Sequence, residues 1–220
     1  MNEQLIAIVT CARGAELQDL LPETWIPLAR QAGFDVEMFD GKRLNCDDGY
    51  LSIMQKSIAI YKWALELGYR NVLKVDDDTY IRVDRLRDYG VDYGGHIWTA
   101  NDYGLNSFPK FKDWTPPIYD FPKGTYPHNF VSGGAVWLSR KSVEILATAP
   151  PNGDFAYDRW AGDVLARAGV PYTFLTDFVL NPRCAIHPSE ARYWPTYAVA
   201  MDTDPARIRE LHRQMLAEKR

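Results

Sequence analysis

Cysteine is scarce in this 220-residue sequence: three residues, at 11, 46 and 184, with no Cys-x-x-Cys pair. An odd, widely spaced set argues against a disulfide scaffold and a zinc site, and it predicts free thiols. Long hydrophobic runs are missing too. No stretch of 18 apolar residues occurs, which excludes a membrane-spanning helix. Residues 1–10 lack a cationic segment, carry Glu3 and pass directly into a strand-like run. No secretory signal is therefore expected, and a cytoplasmic location is. Positive charge is not in excess: the net charge is −4, so bulk attraction to nucleic acid is not the organising property, although a small basic patch stays open. Nor does the chain contain a Gly-x₄-Gly-Lys-Ser/Thr, Gly-x-Gly-x-x-Gly or His-Glu-x-x-His pattern, which leaves P-loop, dinucleotide and zincin readings without support.

What is present suits one globular domain. Apolar residues make up 46% and charged residues 25%, enough for a substantial core. Apolar runs at 5–9, 36–39, 71–75, 97–100, 135–138 and 172–175 predict strands. Helical spacing covers 14–32, interrupted by Pro22 and Pro27, and then 51–67, 83–89, 140–148, 157–168 and 205–218. Residues 176–203 read as irregular. This alternation predicts an α/β domain with a mainly parallel sheet flanked by helices. Residues 101–130 stand apart, with five prolines, eight aromatics and little periodicity, as in an ordered functional loop. Most of these aromatics serve packing, and one or two of the set from Trp98 to Tyr126 are candidates for a sugar or base platform.

The sharpest feature is Lys74-Val75-Asp76-Asp77-Asp78-Thr79-Tyr80, where an apolar strand runs into three adjacent carboxylates. Ligands of open α/β sheets bind beyond the carboxyl ends of strands. Acids crowded there are tolerated around a cation, and carboxylate oxygens suit Mg²⁺ or Mn²⁺ holding a diphosphate. A solvated acidic turn is the plainer alternative. A phosphatase of the Asp-x-Asp-x-Thr/Val kind fits less well, because Tyr80 occupies its fifth position and the strand is not the first.

The pattern extends along the chain. Leu51-Ser52-Ile53-Met54-Gln55-Lys56-Ser57 precedes Lys74-Val75-Asp76-Asp77-Asp78, with Arg13 and Pro22-Glu23-Thr24-Trp25 earlier. Tyr126-Pro127, Val131-Ser132-Gly133-Gly134-Ala135-Val136-Trp137-Leu138-Ser139 and Asp158-Arg159-Trp160-Ala161-Gly162 follow. In order and spacing these segments resemble the beta-1,3-galactosyltransferase and Fringe family over residues 5–190. The resemblance implies a GT-A fold, a Rossmann-like sheet in a single domain, with residues 1–100 mainly on the nucleotide-sugar side and 101–220 mainly on the acceptor side. It implies a UDP-sugar donor and Mn²⁺ or Mg²⁺, held by Asp78 and His187. Asp77 would hold the ribose or donor sugar and Asp76 would support the site. Thr10, Arg13 and Lys56 would lie near the nucleotide and diphosphate, with Gly133 and Gly134 close to a sugar. Asp158 would be the general base of an inverting transfer.

Two departures stand out. The family's acid before the base is Tyr157 here, and its following valine is Arg159. Familiar members also carry a membrane anchor and disulfides, neither of which is expected here. The acceptor stays open between a glycan or glycoconjugate and a hydroxymethylated base in DNA. A metal-dependent phosphotransfer enzyme and a non-catalytic nucleotide-sugar binder are the competing functions.

Overall fold

The computed structural model describes residues 3–11, 14–49, 52–98, 129–151, 156–180 and 196–218. Strands β1 (Gln4–Val9), β2 (Asp35–Phe39), β3 (Asn71–Asp76), β5 (Tyr93–Trp98), β6 (Phe130–Ser139) and β7 (Thr173–Phe174) form a six-stranded sheet. Its order is β2-β1-β3-β6-β5-β7. The β1–β2, β1–β3 and β5–β7 pairings are parallel, and β6 runs antiparallel to both its neighbours. The sheet is thus mainly parallel, with one reversed strand at its centre. A second sheet joins β4 (Tyr80–Ile81), β9 (Val199–Met201) and β8 (Phe178–Leu180).

Alternation along the strands divides the core. Ile6, Ile8, Leu73 and Val75 face one apolar layer with the second sheet. It also contains residues of α1 (Ala15–Leu20), α2 (Trp25–Gln31) and α7 (Pro205–Glu218). Leu5, Ala7, Val9 and Val72 face the other layer, formed with α4 (Ile53–Glu66), α5 (Arg140–Thr148) and α6 (Tyr157–Arg167). A side-chain period of two sends successive residues to opposite faces, so both layers can be read from one strand.

Several elements differ from the sequence expectation. Pro22 breaks the stretch 14–32: Leu21–Glu23 is a 3-10 turn between α1 and α2. Pro27, in the first turn of α2, is accommodated there because its missing N–H has no intrahelical partner to lose. After Asp40 the chain makes a short helix, α3 (Gly41–Leu44), capped by the Asp40 carboxylate accepting from Arg43 N. Residues 83–89 are not a helix; Leu86 N reaches Arg82 O and the chain turns once without propagating. Residues 176–203 are not wholly irregular, since they supply β8 and β9. The looped stretch 101–130 lies outside the described residues up to 128, and β6 begins at Phe130.

Candidate functional site

β3 delivers Asp76 to the carboxyl end of the sheet, and the chain turns at once through Asp77 and Asp78 into β4. Adjacent carboxylates repel, so the turn must be held by other groups. Distant segments hold it. Thr203 donates to Asp78 O from both its N–H, at 2.9 Å, and its hydroxyl, at 2.5 Å. The indole of Trp25 donates to Thr79 O at 3.1 Å, and the Thr79 hydroxyl donates to Gly134 O at 3.1 Å. All three aspartates are half-buried at this edge.

Thr10, just beyond the end of β1, faces the turn and donates its hydroxyl to Asp77 Oδ2 at 2.7 Å. Lys56 is buried on α4, and its ammonium donates to Thr10 O at 2.9 Å and to Asp48 Oδ1 at 2.5 Å. Lys56 therefore anchors Thr10, which in turn fixes Asp77. A β-carbon at Gly14 would stand 2.2 Å from Asp77 Oδ2, so a larger residue there would displace that carboxylate. Burial pushes the Asp77 carboxyl above the usual carboxylate range, against the Thr10 hydrogen bond that lowers it.

The candidate base lies across the reversed strand. Asp158 opens α6, is 9% exposed, and accepts from Arg159 N at 3.0 Å through Oδ1. Its predecessor Tyr157 is buried and shares a hydroxyl–hydroxyl hydrogen bond with Tyr61 of α4. Burial, followed by the neighbouring Tyr61, raises the Tyr157 phenol well above its ordinary value, so it stays neutral. Where the family's second acid would stand, this chain has a neutral, packed ring.

Gly133 and Gly134 meet protein side chains. A β-carbon on Gly133 would come within 3.2 Å of Tyr157 Cδ1 and 3.4 Å of Asp158 Cβ, and one on Gly134 within 3.3 Å of Met201 Sδ. The Gly133 close approach lets the first turn of α6 rest on β6. Trp98, a candidate platform, is instead a core residue, edge-on to His96. Arg13, His187 and the aromatics from Tyr103 to Tyr126 lie outside the described residues.

The structure therefore gathers Thr10, Lys56, Asp76, Asp77 and Asp78 at one strand end and sets Asp158 and Gly133 beside it. Sequence reading missed Gly14, Lys74, Tyr61 and Thr203. Lys74 alone gave a signal, as a charge inside the apolar run Val72–Val75. Among the described residues no three His, Cys, Asp or Glu side chains are grouped to hold a metal ion. Carboxylate oxygens are of the hard kind a divalent cation takes, and here Asp76 Oδ1 already accepts from Lys74 and Asp77 Oδ2 from Thr10.

No family model matches the chain, and no curated protein sequence matches it. Among solved structures, a glycosyltransferase involved in the glycosylation of the major capsid of PBCV-1 aligns with a TM-score of 0.54 at 13% identity. The alignment covers 96% of this chain and 98% of that one. Protein A197 from STIV aligns at a TM-score of 0.39 and 11% identity, over 79% of this chain and 81% of that one, too distant to carry an argument. The likeness to the beta-1,3-galactosyltransferase and Fringe family rests on sequence motifs alone, whereas the fold, an α/β domain with one reversed strand, is the GT-A-like fold shared with the PBCV-1 structure.

Proposed function

We propose that this protein is a metal-dependent, inverting glycosyltransferase that moves a sugar from a UDP-sugar to a hydroxyl acceptor. The observation that carries the reading is one juxtaposition. The Asp76–Asp78 strand end and the buried carboxylate of Asp158 flank the same Gly133 segment of β6 in a GT-A fold.

Residues 1–100 form most of the donor side in this reading. Asp78, with His187, would hold Mn²⁺ or Mg²⁺, which when bound offsets the negative charge of the diphosphate leaving group. Asp77, aimed by Thr10, accepts from a ribose or sugar hydroxyl. Asp76 supports the strand end, and Arg13 pairs with phosphate. Lys56 acts through Thr10, since its ammonium is already engaged.

Asp158 takes the proton of the acceptor hydroxyl as that oxygen bonds to the anomeric carbon and the bond to UDP breaks on the opposite face. An α-linked donor then gives a β-linked product, and the proton rests on the Asp158 carboxyl. The acceptor side comprises residues 101–220. There a cavity of about 480 Å³ lies along α6, lined by Gly162, Ala166, Val170, Tyr172, Tyr93 and Asn129. Gly162, in its lining, is one helical turn along α6 from Asp158. An acceptor glycan or a modified base would extend into it.

Thermal stabilisation by nucleotide sugars, with and without Mn²⁺, tests the reading. UDP with Mn²⁺ raises the melting temperature of the native chain more than GDP or ADP does, and Asp78→Ala removes the Mn²⁺-dependent part. An unchanged UDP response in Asp78→Ala rules out the metal role. Phosphate release from simple esters without a sugar nucleotide would favour a phosphotransfer enzyme.

A further inference from the structure

Lys74 is a lysine with no exposed side-chain surface, placed in the middle of β3. Burying an ammonium is costly unless it is paired and fully hydrogen-bonded. Its Nζ donates to Asp76 Oδ1 at 2.5 Å and to Gly133 O at 2.5 Å, and stands 4.9 Å from the centre of the Tyr157 ring. These partners belong to three elements: the donor end of β3, the middle of β6 and the first turn of α6.

The Gly133 contact falls where the sheet loses its own bonding. The β3–β6 ladder stops at the Val75–Ala135 pair. The β5–β6 register jumps between the Gly95–Val136 and Ile97–Val131 pairs. Residues 132–134 thus belong to neither ladder, and Gly133 O finds its donor in Lys74, as Gly134 O does in Thr79. Gly133 is also the residue against which Tyr157 and Asp158 pack. The position of Asp158 is therefore transmitted through a peptide that Lys74 holds, and the same ammonium holds Asp76.

We propose that Lys74 is a positioning residue: a buried cation that sets the Asp158 carboxylate relative to the Asp76–Asp78 turn. The inference rests on the glycosyltransferase reading for its chemistry. Lys74 is fully buried; removing it misplaces the base more than it weakens donor binding.

The test is a double-mutant cycle between Lys74→Met and Asp158→Asn, with transfer and UDP–Mn²⁺ affinity measured in each protein. Lys74→Met lowers kcat by about ten- to a hundredfold, the scale of a misplacement near 1 Å. UDP affinity falls by less than kcat does, since Lys74 reaches the donor side only through Asp76. In the Asp158→Asn background the same change has less than a twofold effect, because the group it positions is already gone. Equal losses in both backgrounds, or an affinity that falls in step with kcat, overturn the proposal. Should Lys74→Met fail to fold, Lys74→Gln removes the charge and keeps a hydrogen-bond donor. Hydrogen exchange gives a readout independent of activity. Amides in the first turn of α6 exchange faster in either variant while those of β1 do not, and unchanged exchange there refutes the mechanism. A native protein that shows no Mn²⁺-dependent binding of UDP defeats the glycosyltransferase reading, and the exchange result then still decides whether Lys74 fixes α6.

Discussion

At the scale of single residues, the site depends on side chains that hold other side chains. Asp158→Asn keeps the size of the group and removes its basicity. Donor and Mn²⁺ binding should persist while transfer falls by roughly 10²–10⁴-fold, the usual contribution of a placed general base. Measuring both in one preparation checks this, and near-normal transfer would move the base elsewhere, with Asp163 and Asp154 the next acids to substitute. Gly14→Ala tests the donor side. The added methyl would meet Asp77 Oδ2 at 2.2 Å, so the carboxylate must shift and its hydrogen bond from Thr10 must weaken. Because the displaced group faces the proposed donor, weaker UDP binding should accompany any loss of melting temperature. Donor affinity equal to that of the native chain would show that Asp77 does not contact it. The three aspartates themselves were legible from sequence, since an apolar strand running into adjacent acids is a local pattern. Gly14 and Thr203 were not, because each gains its meaning from an atom far along the chain, and Lys74 showed only as a charge inside an apolar run.

Elements show the same division between local and distant causes. β3 and α6 carry enough consecutive signal to be read directly. The two- and three-residue strands β4, β8 and β9 are too short for an alternation to register, and their pairing joins residues 80–81 to 199–200. The expected helix over 83–89 fails for a complementary reason. Its amphipathic look is genuine, but nucleation is unfavourable in so short a segment. Here Arg82 is drawn into ion pairs with Asp84 and Glu218. The junction between β6 and α5 is held more simply. Asp92 accepts from the Ser139 hydroxyl at 2.7 Å and from Lys141 at 3.0 Å, and its backbone O accepts from the Ser142 hydroxyl at 2.7 Å. The Ser139 bond, then that of Lys141, hold the Asp92 carboxyl below its ordinary range. A carboxyl depressed in the folded state adds stability above its unfolded pKa, and that stability is lost as pH falls through the folded value. Asp92→Asn should therefore lower stability at neutral pH, by no more than about 1 kcal/mol for an ion pair this open to solvent. The gap to the native chain should close in acid. Denaturation at neutral pH and near pH 3 checks the sign, and a gap that widened in acid would contradict it.

At the scale of the whole molecule, the two sheets share one apolar layer, and its far side is built from the end of the chain. Tyr197–Met201, Ile208 and Leu211 all pack there, against Ile6, Leu73 and Trp25. Arg82 ties the same region to Glu218. A chain ended after residue 196 loses these groups together, so it should show no sharp thermal transition and no Mn²⁺-dependent response to UDP. Circular dichroism melts of the shortened chain check this; a transition at the native temperature would show that the second sheet is an accessory. None of the described helices is long and apolar enough to cross a membrane.

The bond from Thr203 to Asp78 spans 125 residues, and that span has a consequence in time. A chain made at about 5–20 residues per second leaves the acidic turn waiting roughly 6–25 s before Thr203 has been added. During translation the turn has the bonds from Trp25, Thr10 and Thr79 available before it gains the one that holds the Asp78 carbonyl. On the proposed reading, a nascent chain that has not yet reached Thr203 holds a sugar nucleotide less well than one in which that bond has formed.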